Sequence, residues 1–226
     1  MSQTVLITGA SNGIGKACAR VFARKGYDLV LVARHREKLE AVKAELSEYD
    51  VQIKVIAMDL TGEDAAVDLY NNLVLDDISI DILVNNAGFG DHGAFHDSSW
   101  EKQKKMVLLN IVALMQMTYV FGQSMKRRKK GRILNVASIA GLCAGPYMST
   151  YYATKAFVLS FSESIDYELK DYNVEVSCLC PGPTKTGFMD VANLGQSPMF
   201  KLFKPQSAEA VAAYRGILKL REEVCI

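Results

Sequence analysis

One junction near the N-terminus constrains this chain more than any other. The β-branched run Thr4-Val5-Leu6-Ile7-Thr8 leads directly into Gly9-Ala10-Ser11-Asn12-Gly13-Ile14-Gly15, and a helical pattern follows at once. Residues 15–25 place Ala19, Phe22 and Ala23 on one face and Lys16, Arg20 and Arg24 elsewhere, with Gly26 at the C-cap position. A strand-to-helix turn exposes N–H groups that have no partner inside the helix. Glycines there let an anionic group such as a pyrophosphate come close to the backbone. Gly9, Ser11, Asn12, Gly13, Ile14 and Gly15 are therefore the candidate cradle. The spacing is G-x-x-x-G-x-G, not the better-known G-x-G-x-x-G, so the turn alone is also compatible with a merely flexible connection.

The rest of the chain repeats the same alternation. β-branched runs occupy 4–8, 28–33, 51–58, 80–84, 132–136 and 174–180, with segments of helical length between them. Most are continuously apolar, as expected of strands buried on both faces of a parallel sheet. Residues 37–48 carry Leu39, Val42 and Leu46 among charges, the pattern of a surface helix with one core stripe. Strands alternating with helices predict an α/β fold, a doubly wound parallel sheet with helices on both faces. With no linker or repeat in 226 residues, the reading is one domain over 1–226.

Charge and composition exclude several classes. Lys+Arg number 26 against 25 Asp+Glu, a net charge of +1, which argues against a nucleic-acid binder. The hydrophobic fraction of 50% argues against disorder. The basic run Lys126 to Lys130 is read as a solvated helix end complementing the dipole. Five cysteines without C-x-x-C spacing suggest a reduced, cytoplasmic chain, with Cys178 and Cys180 as ordinary core residues on one strand face. The N-terminus has no secretory pattern. The longest oily stretch, 107–121, is broken by Asn110, Gln116 and Thr118 and falls short of the ~20 residues a membrane span needs.

The end of the second predicted strand bears on the nucleotide. An NAD site places a carboxylate there for the ribose hydroxyls. This chain instead has Ala33 followed by Arg34, His35 and Arg36. The missing carboxylate removes repulsion towards a 2′-phosphate, and a guanidinium offers a bidentate partner for it. NADP(H) is therefore expected over NAD(H), with Arg34 as the contact. The other reading makes these solvent-facing residues at the start of the next helix.

Four motifs now stand in order: Thr8–Gly15, Asn85-Asn86-Ala87-Gly88, Tyr151-Tyr152-Ala153-Thr154-Lys155, and Pro181-Gly182-Pro183-Thr184-Lys185-Thr186. Ser138 lies thirteen positions before Tyr151, and Asn110 lies between the second motif and that serine. In these motifs the chain resembles the short-chain dehydrogenase/reductase family over nearly its whole length, which implies a Rossmann-type fold. The resemblance implies a catalytic quartet of Asn110, Ser138, Tyr151 and Lys155. Tyr151 and Lys155, four apart on a helix, share a face, although Tyr152 and Lys155 also share one and spacing does not choose between them. A nearby ammonium is expected to favour the phenolate and lower the phenol's pKa. Tyr151 is then the proton donor to a substrate carbonyl, with Ser138 holding the same oxygen. Lys155 would also bind the nicotinamide ribose, and Asn110 would place a water.

Further residues follow from the resemblance by position. Asp59 and Leu60 would meet the adenine. Asn86, Ala87 and Gly88 would run beneath the cofactor, and Pro181, Gly182, Thr184 and Thr186 would meet the carboxamide. The oily residues Phe188, Met189, Leu194, Met199, Phe200, Leu202 and Phe203 are read as a substrate cover or as ordinary helix packing. They suggest an apolar carbonyl or alcohol substrate. His92 and His96 lack further ligands, so no metal site is expected, and His92 could border the substrate pocket. A homodimer or homotetramer is implied, with Leu114, Met117 and Phe121 as the candidate interface. Glu223 to Ile226 reads as a seventh strand, beyond which family members usually continue. The rival reading is a catalytically silent dinucleotide-binding scaffold, which has no need of Tyr151.

Overall fold

The computed structural model describes residues 2–188, 192, 205–212 and 224–225. A seven-stranded parallel sheet is built from β1 (Thr4–Thr8), β2 (Asp28–Ala33), β3 (Ile53–Ala57), β4 (Ile82–Asn85), β5 (Gly131–Val136), β6 (Val174–Cys180) and β9 (Val224–Cys225). The spatial order is β3-β2-β1-β4-β5-β6-β9. The chain runs outward from β1 to β3, then crosses back to β4 on the other side of β1. That reversal opens a crevice at the carboxyl ends of β1 and β4, where ligands bind in sheets of this kind. β7 (Thr184–Lys185) and β8 (Gln206–Ser207) form a separate parallel pair beside it.

The two faces of the sheet explain the unbroken apolar runs. Val5 and Ile7 of β1 face a core that includes Cys18, Val21 and Phe22 of α1 (Gly13–Arg24) and Leu39 and Val42 of α2 (Arg36–Glu45). Leu6, between them, faces a second core with Leu69 and Leu73 of α3 (Ala65–Leu75) and Phe121 of α5 (Leu114–Arg128). Each of these β1 residues thus meets a helix whichever way it points, as in a parallel sheet covered on both sides. The third predicted strand shortens to Ile53–Ala57, and the fourth shifts to Ile82–Asn85 because Asp81 before it serves as a cap. Asp81 Oδ2 accepts the Thr4 N–H at 3.1 Å, and the Asp81 N–H donates to the Thr4 carbonyl at 3.0 Å.

The helix predicted at 107–121 is longer and differently employed. α4 (Trp100–Val107), a π-helical stretch at Leu108–Ala113 and α5 run on as 29 helical residues. By length and composition this helix is long and apolar enough to cross a membrane. Its apolar stripe, however, is spent on the sheet of its own chain. Leu114, Met117, Phe121 and Met125 are all buried in the core. This overturns the expectation that Leu114, Met117 and Phe121 form a subunit interface: the 3.6-residue period marked the inward face. The outward face carries Val112, Met115 and Tyr119 instead.

The basic end of α5 is also more than solvated. Arg128 Nη2 donates to the Ile80 carbonyl at 2.5 Å, and Arg128 and Lys130 pair with Asp81 at 3.6 and 3.3 Å. These contacts tie the helix end to the start of β4.

Candidate active site

The glycine turn has the geometry its residues require. Gly9 has φ +66°, a left-handed conformation that a side chain disfavours. At Gly15 a Cβ would strike the Gly9 carbonyl oxygen and Asn86 Nδ2, so glycine lets the helix start close against the turn. Asn12 caps α1, its Oδ1 accepting the Gly13 N–H at 2.7 Å. Thr8 Oγ1, not anticipated from the motifs, accepts the N–H groups of Asn86 at 2.9 Å and Ala87 at 3.0 Å. It donates to the Val84 carbonyl at 3.3 Å. Asn86 Nδ2 returns a 2.9 Å bond to the Thr8 carbonyl. One threonine thus locks the segment after β4 to the turn after β1.

A cavity of about 530 Å³ lies in this crevice. Its walls include Gly9, Ser11, Asn12, Gly13, Ile14, Arg34, Asp59, Leu60, Asn86, Ala87, Gly88, Ser138, Tyr151, Lys155, Pro181, Gly182, Thr184 and Thr186. Gly15 and Asn110 do not line it; both are buried behind the wall and act through close packing and backbone hydrogen bonds. The cationic stretch divides. Arg34 and His35 face the cavity, whereas Arg36 begins α2 and pairs with Glu40 at 3.6 Å. Among the described residues Arg34 makes no salt bridge, although its charge reaches Asp59. Burial raises the Asp59 carboxyl, but hydrogen bonds from Thr61 and the charges of Lys105 and Arg34 outweigh it and hold the group below the usual carboxylate range.

The quartet gathers at the other end. Asn110 sits in the π-helical stretch, where the widened turn aims its amide at the Phe89 backbone. Its Oδ1 accepts the Phe89 N–H at 3.1 Å, and its Nδ2 donates to the Phe89 carbonyl at 2.9 Å and to Thr154 Oγ1 at 3.1 Å. Ser138 caps the turn Ile139–Leu142 by accepting the Ala140 N–H at 3.1 Å. Tyr151 and Lys155 lie on the buried stripe of α6 (Ser149–Leu169). Lys155 Nζ donates to the Val136 carbonyl at 2.7 Å and lies 5.8 Å from the centre of the Tyr151 ring.

The structure decides among the tyrosines. Tyr151 is 8% exposed and hydrogen-bonded with Ser138, whereas Tyr147 is 62% exposed and Tyr152 packs across Gly145. The expected effect of Lys155 on the phenol is corrected. Burial pushes Tyr151 up to about 12, the bond with Ser138 pulls it back in part, and Tyr152 adds to the rise. Burial also draws Lys155 down to about 8. Desolvation dominates at both groups because each is buried in the wall of the crevice. The phenol is thus held as a proton donor.

Around Tyr151 the walls are apolar: Phe89, Met148, Tyr152 and Phe188 surround it, with the Phe188 ring 5.2 Å away. Phe89 and Met148 carried no motif and were not singled out from the sequence. His92 is not among the cavity-lining residues; it stands 6.1 Å from Tyr147. Met189, Leu194, Met199, Phe200, Leu202 and Phe203 lie outside the described residues. Among the described residues no group of three or more metal-ligating side chains comes together.

A strand-turn-helix cradle, a crevice at the sheet's switch point and a serine-tyrosine-lysine cluster define a nucleotide-dependent oxidoreductase of the Rossmann class. The short-chain dehydrogenase family model matches residues 3–196, and the chain belongs to that family. The chain is similar to Nodulation protein G of Rhizobium sp. (strain N33), 35% identical over 84% of this chain and 77% of that protein. It is 36% identical to a very-long-chain 3-oxoacyl-CoA reductase of Phaeosphaeria nodorum, over 77% of this chain and 52% of that one, so it spans about half that relative's length. Among solved structures, a short-chain dehydrogenase from Sphingobium yanoikuyae in complex with NADPH superposes with a TM-score of 0.90. It is 33% identical, covering 98% of this chain and 87% of that one.

Proposed function

We propose that this chain reduces apolar ketones or aldehydes with NADPH and oxidises the corresponding alcohols in the reverse direction. One observation carries the reading. Tyr151, bonded to Ser138 and beside the Lys155 ammonium, closes one end of a crevice whose other end presents Arg34. The glycine cradle fits the diphosphate of a dinucleotide, and Arg34 suits a 2′-phosphate. The NADPH held by the Sphingobium neighbour supports the choice of cofactor. The long acyl substrate named for the Phaeosphaeria relative supports an apolar carbonyl, as do Phe89, Met148 and Phe188 in the wall.

The chemistry divides between residues by position. A bound nicotinamide supplies the hydride. Ser138 orients the substrate oxygen by a hydrogen bond, and Tyr151 transfers its phenolic proton to that oxygen as negative charge develops. Lys155 presents its remaining donors to the ribose and stabilises the phenolate left behind. Asn110 holds the Phe89 backbone and Thr154 in register with α6, and its position suits the ordering of a water that restores the proton.

This function is tested by mixing the protein with NADPH and carbonyl compounds of increasing apolar size, following loss of the cofactor's absorbance. Turnover is expected for the bulkier ketones. Tyr151→Phe should lower it at least ~100-fold while NADPH still binds. NADPH binding without any Tyr151-dependent turnover would instead identify a silent nucleotide-binding scaffold. The reduced thiols suit a cytoplasmic setting. The outward residues Val112, Met115 and Tyr119 suit a second copy of the chain, which light scattering of wild type and Tyr119→Asp would reveal.

A further inference from the structure

A carboxylate stands where a 2′-phosphate least favours one. Arg34 directly follows β2, Asp59 comes two residues after β3, and both line the crevice. The ladder brings the two strand ends together. Ala33 pairs with Ala57, and the Met58 N–H donates to the Ala33 carbonyl at 2.9 Å, so Arg34 and Asp59 emerge from neighbouring strands at the same edge. A carboxylate in that position repels a phosphate and competes with it for the guanidinium.

The contacts of Asp59 answer both difficulties. Its Oδ1 accepts the Thr61 N–H at 3.1 Å and the Thr61 hydroxyl at 2.8 Å. Its Oδ2 meets Lys105 Nζ, reaching over from α4, at 3.5 Å. Both oxygens are thus engaged by groups other than Arg34, which makes no salt bridge among the described residues. Lys105 itself does not line the crevice, so any effect it has on a nucleotide passes through Asp59.

We propose that Lys105 is a positioning residue for cofactor choice: by holding Asp59 it offsets the carboxylate's charge and leaves Arg34 free for the 2′-phosphate of NADPH. This rests on the NADPH reading and adds to it a charge from a helix that carries no nucleotide motif. The electrostatics agree with the geometry. Burial raises the Asp59 carboxyl, the Thr61 bonds lower it, and of the two cations Lys105 lowers it more than Arg34. Without Lys105, Asp59 Oδ2 is left to capture Arg34 or to face the phosphate. NADPH loses in either case, whereas NADH has no 2′-phosphate to lose with.

Fluorescence titration of the full-length protein with NADPH and NADH at one fixed ionic strength tests this. The quantity read is the ratio of the NADH to the NADPH dissociation constant. In Lys105→Met, which keeps the apolar stem, the ratio should fall about three- to fivefold, the scale of a half-exposed ion pair. The fall should come from NADPH alone, and Lys105→Arg should restore the ratio. An unchanged ratio, or equal weakening of both nucleotides as a purely structural role predicts, would overturn the proposal. Asp59→Asn should raise the ratio, and in that background Lys105→Met should change it little, since there is no carboxylate left to offset. The same fall in both backgrounds would mean that Lys105 meets the phosphate without Asp59, and would equally sink the idea. A wild-type ratio of one retires the preference for NADPH, yet the change on removing Lys105 still decides the role of Lys105.

Discussion

Asn110 and Phe89 hold one another by two reciprocal hydrogen bonds, side-chain oxygen to backbone N–H and side-chain N–H to backbone carbonyl, at 3.1 and 2.9 Å. The amide is 1% exposed, so water cannot replace either bond. This pairing fixes the segment that follows the Asn86-Ala87-Gly88 wall and faces Tyr151.

Asn110→Leu should therefore cost more than a lost contact. It strands both backbone groups of Phe89 in the interior, a loss of about 2–4 kcal/mol. Urea denaturation of the variant should show the midpoint lowered to match. Turnover should fall further than that loss alone explains, because Phe89 and Thr154 both lose their register.

The pH dependence of reduction follows from two groups. Tyr151, pushed up to about 12, keeps its proton through neutral and mildly alkaline pH and does not limit the reaction there. Lys155, drawn down to about 8, loses its ammonium as pH rises through that value. Reduction should be level on the acid side and decline above pH ~8. A kcat/KM profile with saturating NADPH checks this, and a decline starting only near pH 10 would contradict the depressed lysine.

Arg34→Ala should weaken NADPH binding ~10- to 100-fold and leave NADH nearly unchanged, since only NADPH presents a 2′-phosphate to a charge-assisted pair. Fluorescence titration with both nucleotides measures the difference. Arg36→Ala should show no such selectivity, because Arg36 turns to Glu40.

Gly15→Ala tests the cradle. Alanine favours a helix by up to ~1 kcal/mol over glycine, yet here its methyl meets the Gly9 carbonyl and the Asn86 amide. The clash should dominate, with NADPH affinity down at least ~10-fold and a lower Tm in calorimetry. A more stable variant with intact binding would mean that the turn yields easily.

Several parts were legible in residue order because they depend on local chemistry. The β-branched runs and their turns located the strands, and Gly9, Asn12 and Gly13 announced a strand-to-helix anion cradle. The opposite outcome at α5 is instructive. The apolar period of Leu114, Met117 and Phe121 was clear, but period alone does not say whether a stripe meets its own sheet or another subunit. The same helix shows the limit of reading apolar runs, since Asn110 interrupts the apolar run without ending the helix. It sits in a widened turn where its amide is satisfied by Phe89 and Thr154.

By itself the sequence determined the family of chemistry: which residues can donate a proton, cradle a phosphate or cap a helix, because those are properties of side chains and their near neighbours. The tertiary structure alone decided which tyrosine faces Ser138, which arginine faces the crevice, and the protonation state of the phenol. It also brought the Lys155 ammonium onto the Val136 carbonyl of β5, nineteen residues back along the chain. Proximity across a sheet is set by ladder register and helix packing, and desolvation by everything that surrounds a group. Neither is written in any short stretch of sequence.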